Sequence, residues 1–308
     1  MGLTIVMYHY VREIESSRYP GIKGLSIDKF KSQLKYIQDR YTPVTMQQVI
    51  AASQKLLKLP ENAILLTFDD GYADHFNTVF PILNQLGIQG SFFPTAKAIT
   101  EHIVLDVNKL HFILATARDA GGLKDKLLKE IRRNKTAYNL MDENQYLQEF
   151  HRPSFYDNAD VGFFKNMLQK GLPLQLRQAI TDIFFQEYVG VPEDIFSREL
   201  YMSEDQLKCL VRAGMFVGSH GFEHFWMDKL DPQKQRQEVD LSLRFLKSLD
   251  IDIQSWVMCY PYGAWNQSLL EILNEKQCKI GLTTEVGQVD FSTHNPLNLP
   301  RVDTNELG

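Results

Sequence analysis

The sequence predicts an α/β protein: a distorted parallel (β/α) barrel interrupted by a long, mostly helical insertion. Three observations carry this. Short apolar runs of strand length alternate with segments of helical period in both the first and the last third of the chain. From about residue 100 to 199 strand-like runs become scarce and helical stretches take over. Hydrophobic residues make up 44% of the 308, charged residues 23%, enough apolar side chain for a sizeable core.

The elements can be read in order. Leu3 to Tyr8 is short and β-rich, the first strand. Ser26 to Arg40 places Ile27, Phe30, Leu34 and Ile37 on one helical face, with Ser26 as N-cap. Val44 to Leu57 reads as a second helix. The run Ala63 to Phe68, between Pro60 and Asp69-Asp70-Gly71, is a buried strand. A helix from His75 to Leu86 is ended by Gly87, and Ile88 to Pro94 is the next strand. Helical stretches at Asp125 to Arg133 and Leu172 to Tyr188 belong to the insertion. The βα rhythm resumes with a helix at Ser203 to Ala213 and a strand at Met215 to Gly218, then a helix at Pro232 to Leu249 and a strand at Ser255 to Tyr260. It closes with a helix at Gln267 to Glu275 and a strand at Ile280 to Thr284. The organisation expected is a barrel split into residues 1–98 and 201–308 around an insertion at 99–200.

A formal net charge of -5 leaves no electrostatic footprint for nucleic acid and no polybasic membrane patch. No stretch approaches the roughly 20 apolar residues of a membrane span, so no membrane insertion is expected. Cys209, Cys259 and Cys278 have no metal-type spacing, and their odd number speaks against a disulfide framework. With Met1 leading straight into a strand and no signal-like segment, the setting expected is cytoplasmic.

Three segments stand at the ends of predicted strands, where parallel α/β proteins assemble their sites. Thr67-Phe68-Asp69-Asp70-Gly71 holds two adjacent carboxylates, which raise each other's pKa unless a cation sits beside them; the plainer reading is a turn that caps the next helix. Gly218-Ser219-His220-Gly221-Phe222-Glu223-His224 holds two histidines at i and i+4, a spacing that grips zinc and also occurs incidentally. Asp70, His220 and His224 together make two nitrogen donors and one oxygen donor, a set that leaves a coordination position open. Tyr260-Pro261-Tyr262-Gly263, taken alone, is a turn.

Together the three segments resemble the polysaccharide deacetylase family (the NodB-homology fold, carbohydrate esterase family 4) over roughly residues 1–98 and 200–304. The resemblance implies that Asp70, His220 and His224 hold a divalent metal, zinc by expectation, and that Asp69 is the general base. It further implies that the Tyr262 backbone N–H helps to stabilise the oxyanion. Such a set is chemically coherent: the metal acidifies water and polarises the acyl carbonyl, while a carboxylate not used in coordination takes the proton.

The sequence departs from the family at three places, and the family's Asp-Trp motif is not found in it. Gly221 stands where a Ser or Thr usually braces the metal loop. Cys259 stands where an Arg usually orients the base, which leaves Arg301 as a candidate for that task. Leu299-Pro300-Arg301 lacks the histidine of the family's late Leu-x-His motif, so the acid falls to His9, at the end of the first strand, or to His294. His75 reads as a helix-surface residue, and His102, His111 and His151 show no ligand spacing. Of Trp226, Trp256 and Trp265, the last is nearest in sequence to Tyr262 and is the candidate for stacking on a sugar. Tyr262, Trp265 and Arg301 form the expected substrate surface.

The activity implied is hydrolysis of an N-acetyl or O-acetyl group on an amino sugar, oligosaccharide or soluble or lipid-linked sugar precursor. Two alternatives stay open: hydrolysis of a non-sugar amide or formyl group, and a carbohydrate-binding protein that has lost turnover through Gly221 and Cys259.

Overall fold

A computed structural model describes residues 2–117, 119–153 and 157–307. The chain divides into two compact units. The first gathers Met1–Glu13, Gly24–Ile103 and Ser197–Gly308, the second Ile14–Lys23 and Val104–Phe196.

The first unit opens with β1 (Thr4–Tyr8), then β2 (Val11–Arg12) and β3 (Leu25–Ser26), which pair with each other. Helix α1 (Ile27–Arg40) begins at Ser26, whose side chain accepts from the Lys29 N–H. β4 (Thr42–Pro43) leads into α2 (Met46–Ser53), shorter than its apolar pattern suggests because a Thr45–Gln48 capping box sets its start and Gln54 its end. β5 (Ala63–Asp70) is buried over all eight residues, as an inner strand of a parallel sheet requires. The segment read as one helix from His75 begins instead as a π-helical turn, His75–Val79, before α3 (Phe80–Leu86) and a left-handed Gly87. β6 (Gly90–Pro94) and the short α4 (Ala96–Thr100) follow.

The second unit is helical: α5 (Asp106–Thr116), α6 (Ala120–Tyr138), α7 (Glu143–Phe150), α8 (Ala159–Asn166) and α9 (Leu174–Tyr188). The segment 14–23, far upstream in sequence, clusters with these helices.

After α10 (Glu193–Leu200) the first unit continues with α11 (Glu204–Arg212), started by a Ser203–Gln206 capping box, and β7 (Phe216–Val217). Then come α12 (Pro232–Ser248), β8 (Val257–Cys259), α13 (Gln267–Glu275) and β9 (Ile280–Val286). The last strand is β10 (Leu299–Asp303). The strands run in the order β7-β6-β5-β1-β10-β9-β8, every neighbouring pair parallel. A bridge between Ser219 and Met258 links the two ends of this row, so the expected barrel is formed.

Alternation along the strands divides the interior into two levels. Ile5, Leu65, Val257, Leu282 and Leu299 enter one buried apolar cluster. Two residues on from Leu65 and from Leu299, towards the carboxyl ends, the same faces carry Thr67 and Arg301, and Asp69 lies two residues beyond Thr67. The floor is apolar and the mouth is polar. Among the described residues no helix is long and apolar enough to cross a membrane.

Candidate active site

Three loops at the polar mouth turn through left-handed backbone. Asp70 (φ 71°) is followed by Gly71 (φ 75°), Gly221 (φ 76°) precedes His224 (φ 58°), and Tyr262 (φ 59°) is followed by Gly263 (φ 68°). At Gly71 a Cβ would lie 2.7 Å from the Pro94 side chain, and at Gly263 2.2 Å from the Thr284 hydroxyl, so these turns need glycine for space as well as for φ. Left-handed non-glycine residues are strained and persist where the surrounding structure holds them.

The turns bring Asp70, His220 and His224 together. The Nε2 atoms of both histidines lie 3.3 Å from Asp70 Oδ1. All three residues are buried, and their ligating atoms fall within 4.8 Å of one another. His220 Nδ1 is 2.8 Å from the Cys259 carbonyl, which can only accept; Nδ1 therefore carries a proton, and Nε2 is the nitrogen that faces Asp70 and is placed to ligate an ion. Asp70 Oδ1 has no hydrogen-bond donor among the described residues although it is buried. Burial pushes the Asp70 carboxyl up, but the imidazoles of His220 and His224 outweigh this and hold it well below the usual carboxylate range. Burial likewise pushes the Tyr72 phenol well above its ordinary value, and Asp70 beside it adds to the effect.

Asp69 sits differently. Arg301 grips it with two parallel bonds, Nη1 to Oδ1 at 2.9 Å and Nη2 to Oδ2 at 2.8 Å. The Cys259 thiol donates to Oδ1 at 3.3 Å. Burial raises the carboxyl, but the Arg301 charge and fork overcome it and hold Asp69 at about 2. Arg301 Nε donates to the Thr283 carbonyl at 2.7 Å and Nη1 also to Thr67 Oγ1 at 3.1 Å. This corrects the expectation that Arg301 offers itself to substrate. The residue is 1% exposed and its guanidinium is engaged on Asp69, as the other task foreseen for it requires. The arginine missing at Cys259 on β8 is thus replaced from β10.

The brace missing at Gly221 is also replaced. The Gly221 N–H donates to Ser219 Oγ at 3.1 Å, and the Phe222 and Glu223 N–H groups both donate to Glu238 Oε2, at 3.2 and 2.9 Å. Glu238, on α12, is fully buried. Sequence reasoning passed over it because nothing marks a helical glutamate 14 residues after His224 as a loop anchor.

His9 lies with its Nε2 3.9 Å from Asp69 Oδ2, and its side chain is 42% exposed. His294 is set aside by placement. It sits in a turn with Asp290, next to Val289, which pairs with Leu3 at the start of β1, whereas the site lies at the strand ends. His75 is not on the surface: it is 0% exposed and its Nε2 is 2.9 Å from the His9 carbonyl. The π-helical turn carries the ring inward against Phe68, Tyr72 and Phe92. Burial pulls its pKa down to about 4.

Among the tryptophans, the ring beside the site belongs to Trp226. It stacks on Tyr262 at 4.2 Å and 4°, and Tyr262 in turn meets the His224 edge at 4.7 Å. Trp265 is half-buried, with no ring contact among the described residues, and so takes no part in this aromatic surface. Trp256 is a core residue bonded through Nε1 to the Lys276 carbonyl. His102 lies in the first unit in a left-handed turn, while His151 pairs with Asp160 in the second.

Among curated relatives, the chain is 18% identical over 286 residues to a protein of Bacillus subtilis (strain 168) that bears the name "Putative polysaccharide deacetylase YxkH". That alignment takes in 92% of this chain, and the chain spans 65% of the relative's length. A stretch of 84 residues, 27% of this chain and 12% of the relative, is 32% identical to poly-beta-1,6-N-acetyl-D-glucosamine N-deacetylase of Escherichia coli (strain K12). The structure of Streptococcus pyogenes deacetylase PplD in complex with acetate superposes with a TM-score of 0.61 at 17% identity, covering 98% of this chain and 92% of that one. The family model for polysaccharide deacetylase matches residues 57–139 and 180–281, together more than half of the chain and including Asp69, Asp70, His220, His224 and Tyr262, but neither His9 nor Arg301. With sequence match and barrel in agreement, the chain belongs to the polysaccharide deacetylase family.

Proposed function

We propose that the protein is a metal-dependent hydrolase that removes an acetyl group from an N-acetylated amino sugar within an oligosaccharide or sugar precursor. The observation that carries this is the pair of imidazole Nε2 atoms, both 3.3 Å from a buried Asp70 Oδ1 without a donor, beside a second carboxylate that is anchored apart. Two neutral nitrogens and one carboxylate oxygen suit a divalent ion such as zinc. Asp70, His220 and His224 would hold it, and when bound it supplies Lewis-acid polarisation of the acyl carbonyl and acidification of water.

The protein's own groups then divide the remaining work. Asp69, kept ionised by Arg301, is always ready to accept a proton from the attacking water. His9, close to Asp69 and partly open to solvent, gives a proton to the leaving amine. The Tyr262 N–H, on its left-handed turn, serves the oxyanion, a contribution of about 3 kcal/mol in comparable sites. The Trp226–Tyr262 stack offers a flat aromatic surface suited to a sugar ring. The name of the Escherichia coli relative points to N-acetylglucosamine as the first sugar to try.

Replacement of both missing braces, by Glu238 with Ser219 and by Arg301, supports turnover over binding alone. The test is acetate release from β-1,4- and β-1,6-linked N-acetylglucosamine oligosaccharides, O-acetyl sugars and simple formyl amides, with and without chelator. Chelator-sensitive release from the N-acetyl sugars is expected. Release only from formyl amides, or none from metal-loaded protein, would overturn the proposal.

A further inference from the structure

The two carboxylate oxygens of Asp70 have unlike surroundings. Oδ1 faces both imidazoles and has no donor among the described residues. Oδ2 accepts from the Tyr72 hydroxyl at 2.5 Å. Tyr72 is fully buried, and its ring stacks on Tyr10 at 4.1 Å and 19° and on Tyr201 at 6.1 Å and 13°. Its backbone is tied as well: Tyr72 bridges to Tyr201, the Met202 N–H donates to the Gly71 carbonyl at 2.9 Å, and the His75 N–H donates to the Tyr72 carbonyl at 2.9 Å. A phenol held on two rings and by its own main chain has no freedom to leave Oδ2.

We infer that Tyr72 is a positioning residue that makes Asp70 a one-oxygen ligand. The inference rests on the reading of Asp70, His220 and His224 as the ligand set. A carboxylate free at both oxygens can chelate an ion through a four-membered ring, and that second bond would occupy a position that water or the acyl oxygen needs. With Oδ2 engaged by the phenol, only Oδ1 is offered. The donated hydrogen bond also fixes the carboxylate plane and draws electron density from it. Partners of this kind typically change metal affinity by about 10- to 100-fold when removed.

The test compares wild type with Tyr72→Phe, which keeps the stacked ring and removes only the hydroxyl. Chelator-treated protein is titrated with cobalt(II), and both affinity and visible absorption are read. Wild type is expected to give the intense bands of a low-coordinate ion. The variant is expected to give weaker bands as Asp70 swings to two-oxygen coordination, with an affinity that differs from that of wild type by about 10- to 100-fold. Unchanged bands and an affinity within about twofold of wild type would overturn the inference while leaving the ligand set intact. Wild type that binds no cobalt would instead remove the ligand set, and this inference with it. X-ray absorption of cobalt-loaded wild type needs no variant: a two-oxygen carboxylate there also overturns the inference.

Discussion

Arg301 and Asp69 stand 232 positions apart in sequence and meet through two parallel bonds of 2.9 and 2.8 Å in the barrel interior. The pair sets the charge state and the direction of Asp69, the proposed base, together. Lysine at position 301 would keep the charge and lose the fork. Arg301→Lys is expected to lower acetate release by up to about 100-fold, with a stability loss of about 1–3 kcal/mol in urea unfolding. Near-normal turnover in a stable variant would show that the fork does not orient the base.

Asp69→Asn removes the proton acceptor and leaves Asp70, His220 and His224 untouched. Turnover should fall by about 10²- to 10⁴-fold, while metal content by elemental analysis stays at the wild-type level. A variant that loses its metal as well would place Asp69 among the ligands instead.

His9→Ala tests the acid. An amine needs a proton to leave, whereas a nitrophenolate does not. Release of acetate from an acetylated amino sugar should drop by about 10²-fold or more, and release from nitrophenyl acetate should change little. Equal losses on the two substrates would refute the assignment.

His75 gives a prediction about stability. Its imidazole takes a proton near 6.5 in an unfolded chain, but only near 4 when buried in the fold. Between these values the unfolded state binds more protons, so stability rises with pH. The contribution is complete above 6.5 and is lost as pH falls towards 4, a change of about 3 kcal/mol. In His75→Phe this dependence should be absent from urea midpoints measured across that window. Above pH 6.5 the variant should also be about 1 kcal/mol less stable than wild type, from the missing bond to the His9 carbonyl, and near pH 4 the order should reverse. An undiminished pH dependence would mean that another group carries it.

Six of the sheet's strands were legible in the sequence because a parallel inner strand carries a short apolar run, as Ala63–Leu66 does within β5. Asp70, His220 and His224 were legible as a trio because each follows such a strand, and strand ends in this topology converge. What escaped notice depends on contacts between distant segments. Leu299–Asp303 is a strand that Pro300 disguises, so Arg301 can be read from the sequence as a candidate to orient Asp69 but not placed beside it. The inward turn of His75 depends on one extra residue in a helical turn, which no periodicity reveals. Trp226 lies two residues from His224 but 36 from Tyr262, so its stacking on that ring could not be read from spacing. The clustering of 14–23 with helices some ninety residues downstream likewise has no local signal.

The left-handed backbone at Asp70, His224 and Tyr262 bears on how the protein could be improved. Glycine or asparagine would relax each of these positions, by roughly 1–2 kcal/mol in the case of glycine. A campaign that selected only for heat resistance would therefore be drawn to two of the proposed metal ligands and to the ring of the proposed sugar-binding surface, and its most robust products are expected to be inert. Durable variants should be sought in the apolar floor around Ile5, Leu65 and Leu282, where tighter packing leaves the chemistry alone.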